Sequence, residues 1–166
     1  MIRRIDPDED RGCFVDAWIW ETEAAPWYKA ASRVFGPPTL ENWIEASRED
    51  TRATFGVFDP DLISIIILTL RAKGRLEVDI LAKPRCSAWA VAEAAISLRD
   101  AVFADLGASE IYCWVAKKNV PTRRLCATIG FHDTGLRLLR GQYRGRVVEW
   151  HRLVIIREQV VQAIAA

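Results

Sequence analysis

The stretch NVPTRRLCATIGF, Asn119 to Phe131, reads as a short helix with both ends marked. Asn119 is a favoured N-cap residue. Pro121 is tolerated in the first turn, where its missing N–H has no intrahelical partner, and Gly130 suits the left-handed stop. The preceding EIYCWVAK, Glu110 to Lys117, is rich in β-branched and aromatic residues and reads as a strand. Before it, SAWAVAEAAISLRDAVFADLG (residues 87–107) carries Val91, Ala95, Leu98, Val102 and Leu106 at spacings of three and four, which places them on one helical face. Trp89, Ala92, Ile96 and Phe103 widen that stripe. A strand, RLEVDILA (residues 75–82), leads into this helix. Strand, long helix and strand form a βαβ crossover, so the two strands run parallel.

Further outward, MIRRI reads as a first strand, followed by a helix with Asp6 as N-cap, Pro7 at the first helical position and Glu9 closing a capping box. After the FGPP break, Thr39 caps a second short helix. TRATFGVFD and LISIIILTLRA are strands joined by the turn DPD. At the C-terminal end, GLRLLRGQYRGRVVEWHRLVI gives two strands turning at Arg144-Gly145, and then an apolar tail with helical character. The order β-α-α-β-β-β-α-β-α-β-β predicts one α/β (α+β) domain over residues 1–166. Its sheet is mixed, mostly antiparallel and twisted, with helices on both faces.

Composition narrows the functional classes. Cys13, Cys86, Cys113 and Cys126 show no metal-ligand spacing, so no structural metal is expected and the thiols read as reduced. The opening MIRRIDPDEDRG has no signal-peptide core, and LISIIILTL is about half the length a membrane helix needs. A cytoplasmic protein without membrane contact is expected. Residues 1–116 hold 13 Lys and Arg against 19 Asp and Glu, and residues 117–166 hold 10 against 3. This basic last quarter would suit a nucleotide cofactor or a nucleic acid, and a solvated charged face is the alternative.

The element order, with Asn119, Ile129-Gly130-Phe131 and Arg144-Gly145-Arg146, resembles the GNAT superfamily of acyl-CoA-dependent N-acetyltransferases. The resemblance implies transfer of an acetyl group from acetyl-CoA, bound as cosubstrate, to an amine acceptor, without a metal. In that family a loop of the form Arg/Gln-x-x-Gly-x-Gly/Ala grips the pyrophosphate at the start of the long helix. Aligned on Pro84, this chain has Ser87, Ala90 and Ala92 there; aligned on Arg85, it has Ala88 and Ala90. Alanine keeps its amide donor in helical geometry, so the resemblance assigns cofactor contacts to Ser87, Ala88, Trp89, Ala90, Val91 and Ala92. It assigns further contacts to the strand backbone at Leu81, Ala82 and Lys83, and to Asn119 along the pantetheine arm. Arg123, with Lys117, Lys118 and Arg124, would meet the phosphates.

Acetyl transfer needs a base for the amine, donors for the oxyanion and an acid for the departing thiolate. Glu77 and Asp79 alternate onto one face of the strand and are the candidate bases; an exposed, salt-bridged strand face is their alternative. Many family members have a Tyr four residues before the Gly of the Gly-Phe pair. Cys126 stands there and is either the acid or a small buried hydrophobe. Tyr112, Tyr143 and His132 are other acids within the chain.

The region expected to wall the acceptor site contains Trp18, Trp20, Trp27 and Tyr28, and residues 6–50 hold eleven acids against four Lys and Arg, which suits a cationic amine. The basic hairpin with Tyr143 points instead toward an acidic or nucleic-acid acceptor. The acceptor therefore stays open, as do a homodimer, a binding or structural protein of this fold without catalysis, and a nucleic-acid-directed protein.

Overall fold

LISIIILTL forms the middle of the sheet because it can be buried on both faces. A computed structural model describes residues 1–23, 39–143 and 146–158. In it, the strands are β1 (Ile2–Arg4), β2 (Arg52–Phe58), β3 (Leu62–Ala72), β4 (Arg75–Ala82), β5 (Glu110–Ala116), β6 (His132–Tyr143) and β7 (Arg146–Ile156). The helices are α1 (Arg11–Glu23), α2 (Leu40–Ser47), α3 (Ala88–Asp105) and α4 (Val120–Ile129). β3 is buried from Leu62 through Thr69, which explains why its sequence is continuously apolar rather than alternating.

The sheet order is β1-β2-β3-β4-β5-β7-β6, and every neighbouring pair is antiparallel except β4 with β5. That single parallel pair is joined by the α3 crossover, as the sequence predicts. On one face, Val91, Ala92, Ala95, Val102 and Phe103 of α3 and Cys126 and Ile129 of α4 pack against Leu68, Val78, Ile111, Val115 and Leu153. On the other, Phe14, Ala17 and Ile44 from α1 and α2 pack against Ile5, Leu62, Ile65 and Ile67. A small apolar void of about 20 Å³ lies beneath α3 beside Val78 and Ile80, within the first core.

Two features of the helices differ from the sequence reading. Asp6 does accept from the Asp8 and Glu9 N–H groups, at 2.8 and 3.2 Å, but this caps a turn, and α1 begins only at Arg11. The reciprocal acceptor for the Asp6 N–H is Asp10 at 2.9 Å, not Glu9, because Arg3 holds the Asp10 carboxylate in place. Leu106 belongs to the periodic stripe yet is 68% exposed, since it is the C-cap residue where α3 ends. The expected turn at Arg144-Gly145, the apolar tail, and Trp27 and Tyr28 lie outside the described residues, as does the side chain of Tyr143.

Some of the charges of the last quarter are matched within the fold. Lys117 pairs with Glu149, Arg123 and Arg137 with Asp133, and Arg152 with Glu110. Among the described residues, no helix is long and apolar enough to cross a membrane, and no group of three His, Cys, Asp or Glu could hold a metal ion.

Candidate active site

β4 and β5 pair at only three positions, Arg75–Glu110, Leu76–Ile111 and Glu77–Tyr112. Both strands run on, β4 held by β3 as far as Ala82 and β5 held by β7 as far as Ala116. A gap therefore opens between them within an otherwise continuous sheet.

The ladders fix which amides face this gap. Lys83 N–H donates to Ile63 O at 2.9 Å, so by strand alternation Leu81, Asp79 and Glu77 also direct their N–H groups to β3. Val78, Ile80 and Ala82 direct theirs to β5. Glu110 N–H donates to Gly74 O at 3.1 Å, which sets the phase of the parallel ladder and makes Val78 N–H to Tyr112 O its last rung. Ile80 and Ala82 thus present unpaired amides to the gap from β4, and Trp114 and Ala116 from β5. Of the expected backbone set Leu81–Lys83, only Ala82 faces the gap. Leu81 and Lys83 bond to β3, and Ile80 takes the place that side-chain pattern could not reveal.

α3 starts where β4 ends, and α4 starts where β5 ends, so two helix N-termini flank the opening. Arg85, in the loop before α3, has φ of 65°, a left-handed conformation that costs a non-glycine residue roughly 1 kcal/mol. Ser87 is the N-cap of α3, and its Oγ accepts from the Ala90 N–H at 3.2 Å. Val91 N–H donates to Ser87 O, and the side chains of Val91 and Ala92 are buried in the core. These contacts engage the Ala90 and Val91 amides, while the Ser87 hydroxyl keeps its own O–H to donate. Ala88 and Trp89 retain first-turn N–H groups without intrahelical partners. The Trp89 side chain is 67% exposed and stands in solvent, leaving the gap unplugged.

On the β5 side, Asn119 caps α4, its Oδ1 accepting from the Thr122 N–H at 3.3 Å, and Gly130 closes the helix at φ 103°. Arg123 is not free for phosphates. Its Nη1 lies 2.8 Å from Nδ1 of the buried His151, and its Nη2 lies 3.7 Å from Asp133. His151 Nε2 is 2.9 Å from Glu149, whose carboxyl is held below its usual range by Lys117 and His151. Arg137 and the Gly135 N–H hold Asp133 down to about 2. Of the two readings of Cys126, acid or small buried hydrophobe, its surroundings fit the second. It is 2% exposed within the α3/α4 core, its Sγ 3.9 Å from that of Cys113. Contact with Cys126 and burial push the Cys113 thiol well up. Cys126 has no route to a leaving group in the gap.

Glu77 and Asp79 lie on the face of β4 turned toward α1 and α2, and they differ sharply. Glu77 accepts from Arg71 Nε at 2.5 Å. Asp79 makes no hydrogen bond or ion pair among the described residues. Asp79 is an exposed residue, yet protein crowds its surroundings. Desolvation there and the charge of Glu77 raise it to about 6, against the opposing pull of Arg52 and Arg71.

No protein-family model matches the chain, and no curated protein matches it. Solved structures do. A spermidine N-acetyltransferase from Vibrio cholerae, in complex with CoA and spermine, is 16% identical with a TM-score of 0.73 and 97% of each chain covered. A chimeric spermidine N-acetyltransferase that includes the Vibrio cholerae sequence is 17% identical with a TM-score of 0.76, again covering 97% of each chain. The chain has the fold of these N-acetyltransferases. At these identities the likeness is one of fold.

Proposed function

We propose that the protein is an N-acyltransferase that moves an acetyl group from acetyl-CoA to an amine. The observation that carries this reading is the opening between β4 and β5, where the unpaired Ile80 and Ala82 amides lie beside the unpartnered Asp79. The thioester enters from the edge where α3 and α4 begin, with the pyrophosphate near the Ala88 and Trp89 amides and Asn119 beside the pantetheine arm. The amine enters from the face that carries Asp79.

Asp79 accepts the amine proton. A conjugate acid near pH 6 leaves the carboxylate ionised at neutral pH while making it more basic than an ordinary Asp. The amine nitrogen then bonds to the thioester carbonyl carbon, and negative charge on the carbonyl oxygen is met by Ile80 and Ala82 N–H. Collapse breaks the carbon–sulfur bond, and the thiolate takes a proton from solvent, a route that needs no side-chain acid at position 126. Glu77, paired with Arg71, sets the field around Asp79.

A binding protein of this fold without catalysis is the second reading, favoured by Ser87 capping an amide that would otherwise face the pyrophosphate. A thermal-shift titration separates the two. Acetyl-CoA at about 100 times its dissociation constant should stabilise the protein by about 2.7 kcal/mol, and CoA release should follow when an amine is added. An unchanged melting temperature at millimolar acetyl-CoA contradicts the acyltransferase reading. Binding without CoA release across a broad amine panel supports the second.

A further inference from the structure

The face of the sheet beyond Asp79 carries information about the acceptor. α1 and α2 pack against Ile5, Leu62, Ile65 and Ile67, with Leu81 at the margin, so they cover the β1–β4 half. On the β5-β7-β6 half, the same face carries Tyr112 and Trp114 from β5, Trp150, Arg152 and Val154 from β7, and Leu138 from β6. The pairings Trp114–Arg152, Ala116–Trp150 and Leu138–Trp150 fix this alignment. Trp114 is half-buried and stands in step with Asp79, two residues past the last β4–β5 pair. Among the described residues, neither a cation nor another ring stacks on it. Trp150, diagonal to it, is held by its Nε1 donating to Arg140 O at 3.1 Å, and Leu138 beside it is 37% exposed.

The charges on this face are few and mostly matched. Glu77 is paired with Arg71, and Glu110 with Arg75 and Arg152. The Arg152 guanidinium also lies over the Tyr112 ring, 4.3 Å from its centroid. Asp79 is the one carboxylate on this described face without a salt bridge, although Arg52 and Arg71 lie within electrostatic reach of it. A chain of several ammonium groups would find one anchor here and would then meet Arg152. A single ammonium attached to a flat apolar body would find a carboxylate at one end and an indole at the other.

We infer that the acceptor is a monoamine bearing an aromatic ring, its ammonium drawn to Asp79 and its ring held against Trp114. This rests on the acyltransferase reading and names its acceptor class. Before attack the ammonium gives one proton to Asp79, which passes it to solvent. As the nitrogen bonds to the carbonyl carbon it loses a second proton to the freed Asp79 carboxylate, the C–S bond breaks and the thiolate is protonated by solvent, while the ring stays on Trp114. Aromatic contact of this kind favours a ring-bearing acceptor over an alkyl one by about tenfold.

The test is steady-state CoA release from acetyl-CoA with 2-phenylethylamine, n-butylamine and spermidine as acceptors. The expected result is kcat/KM for 2-phenylethylamine about tenfold or more above both others. In Trp114→Leu that advantage should vanish, chiefly through a rise in KM for 2-phenylethylamine, whereas Trp114→Phe should retain most of it. The comparison among amines on the unaltered protein stands even if a Trp114 variant does not fold. Preference for spermidine, an equal loss for all three amines in Trp114→Leu, or acetyl-CoA binding with no acetylation of 2-phenylethylamine would overturn the inference. Failure to bind acetyl-CoA at all would instead overturn the reading beneath it.

Discussion

Asp79 and Trp114 occupy facing strands two residues beyond Glu77–Tyr112, the last pair that β4 and β5 make. Among the described residues, a carboxylate with no hydrogen-bond or ion-pair partner and an indole with no stacking neighbour thus border the same opening, on the face opposite α3 and α4. The opening itself arises because each strand continues to be held on its far side, by β3 and by β7.

Replacing Asp79 by Asn removes the proposed base while keeping its shape. Acetyl transfer should fall by about 100-fold or more, in the range of a lost general base. In the unaltered protein, turnover should rise with pH through about 6, the value to which desolvation and Glu77 raise this carboxyl. Initial rates from pH 5 to 8 check both points.

The same substitution should stabilise the fold. Asp79 is raised from 3.8 to about 6, so the folded protein holds this proton more tightly than the unfolded chain. The resulting stabilisation is fully present below pH 3.8 and is lost as pH rises through about 6. Asp79→Asn should therefore melt higher than the unaltered protein at pH 7.5, with the difference shrinking toward pH 4, as read by thermal unfolding across that range.

Glu77→Gln should shift the midpoint of the pH–rate profile downward. The substitution removes a negative charge that raises Asp79 and leaves Arg71, which lowers it, without its carboxylate partner. Turnover at pH 7.5 should change far less than in Asp79→Asn, and the displaced midpoint distinguishes an electrostatic role from a direct one.

Local chemistry made much of this architecture readable in advance. β3 is uninterrupted and apolar because both its faces are covered, α3 carries a stripe because one face packs, and Thr39 and Asn119 cap the helices their side-chain oxygens suit. Gly130 marks the end of α4 because that position needs φ 103°. The site was less legible. Whether Ile80 or Leu81 faces the gap depends on the phase of two ladders, which the side chains of β4 do not encode. The distinction between Glu77 and Asp79 comes from Arg71 reaching across from β3. Arg123 reads as a phosphate ligand until β7 brings His151 to it, and Cys126 as an acid until α4 turns it onto Cys113.

Gly130→Ala should destabilise the protein by about 1–2 kcal/mol, the cost of a left-handed conformation at a residue with a side chain. The added Cβ would also approach Arg99 Nη1 to 3.3 Å, beside the contact Arg99 makes with Ile129 O. Denaturant unfolding with an unchanged slope would register the loss as one of stability.

Cys126→Ala should cost about 1 kcal/mol of stability through the small cavity it leaves beside Cys113. Turnover should stay within about tenfold of the unaltered protein, since a thiol buried in the α3/α4 core does not meet the leaving group. Paired unfolding and rate measurements separate these effects.

The gap is tested most directly by backbone amide chemical shifts of isotopically labelled protein titrated with acetyl-CoA. Ile80 and Ala82 are predicted to move the most along β4, with Leu81 and Lys83, bonded to β3, moving little. Saturating acetyl-CoA that leaves the Ile80 and Ala82 amides where they were would contradict the account.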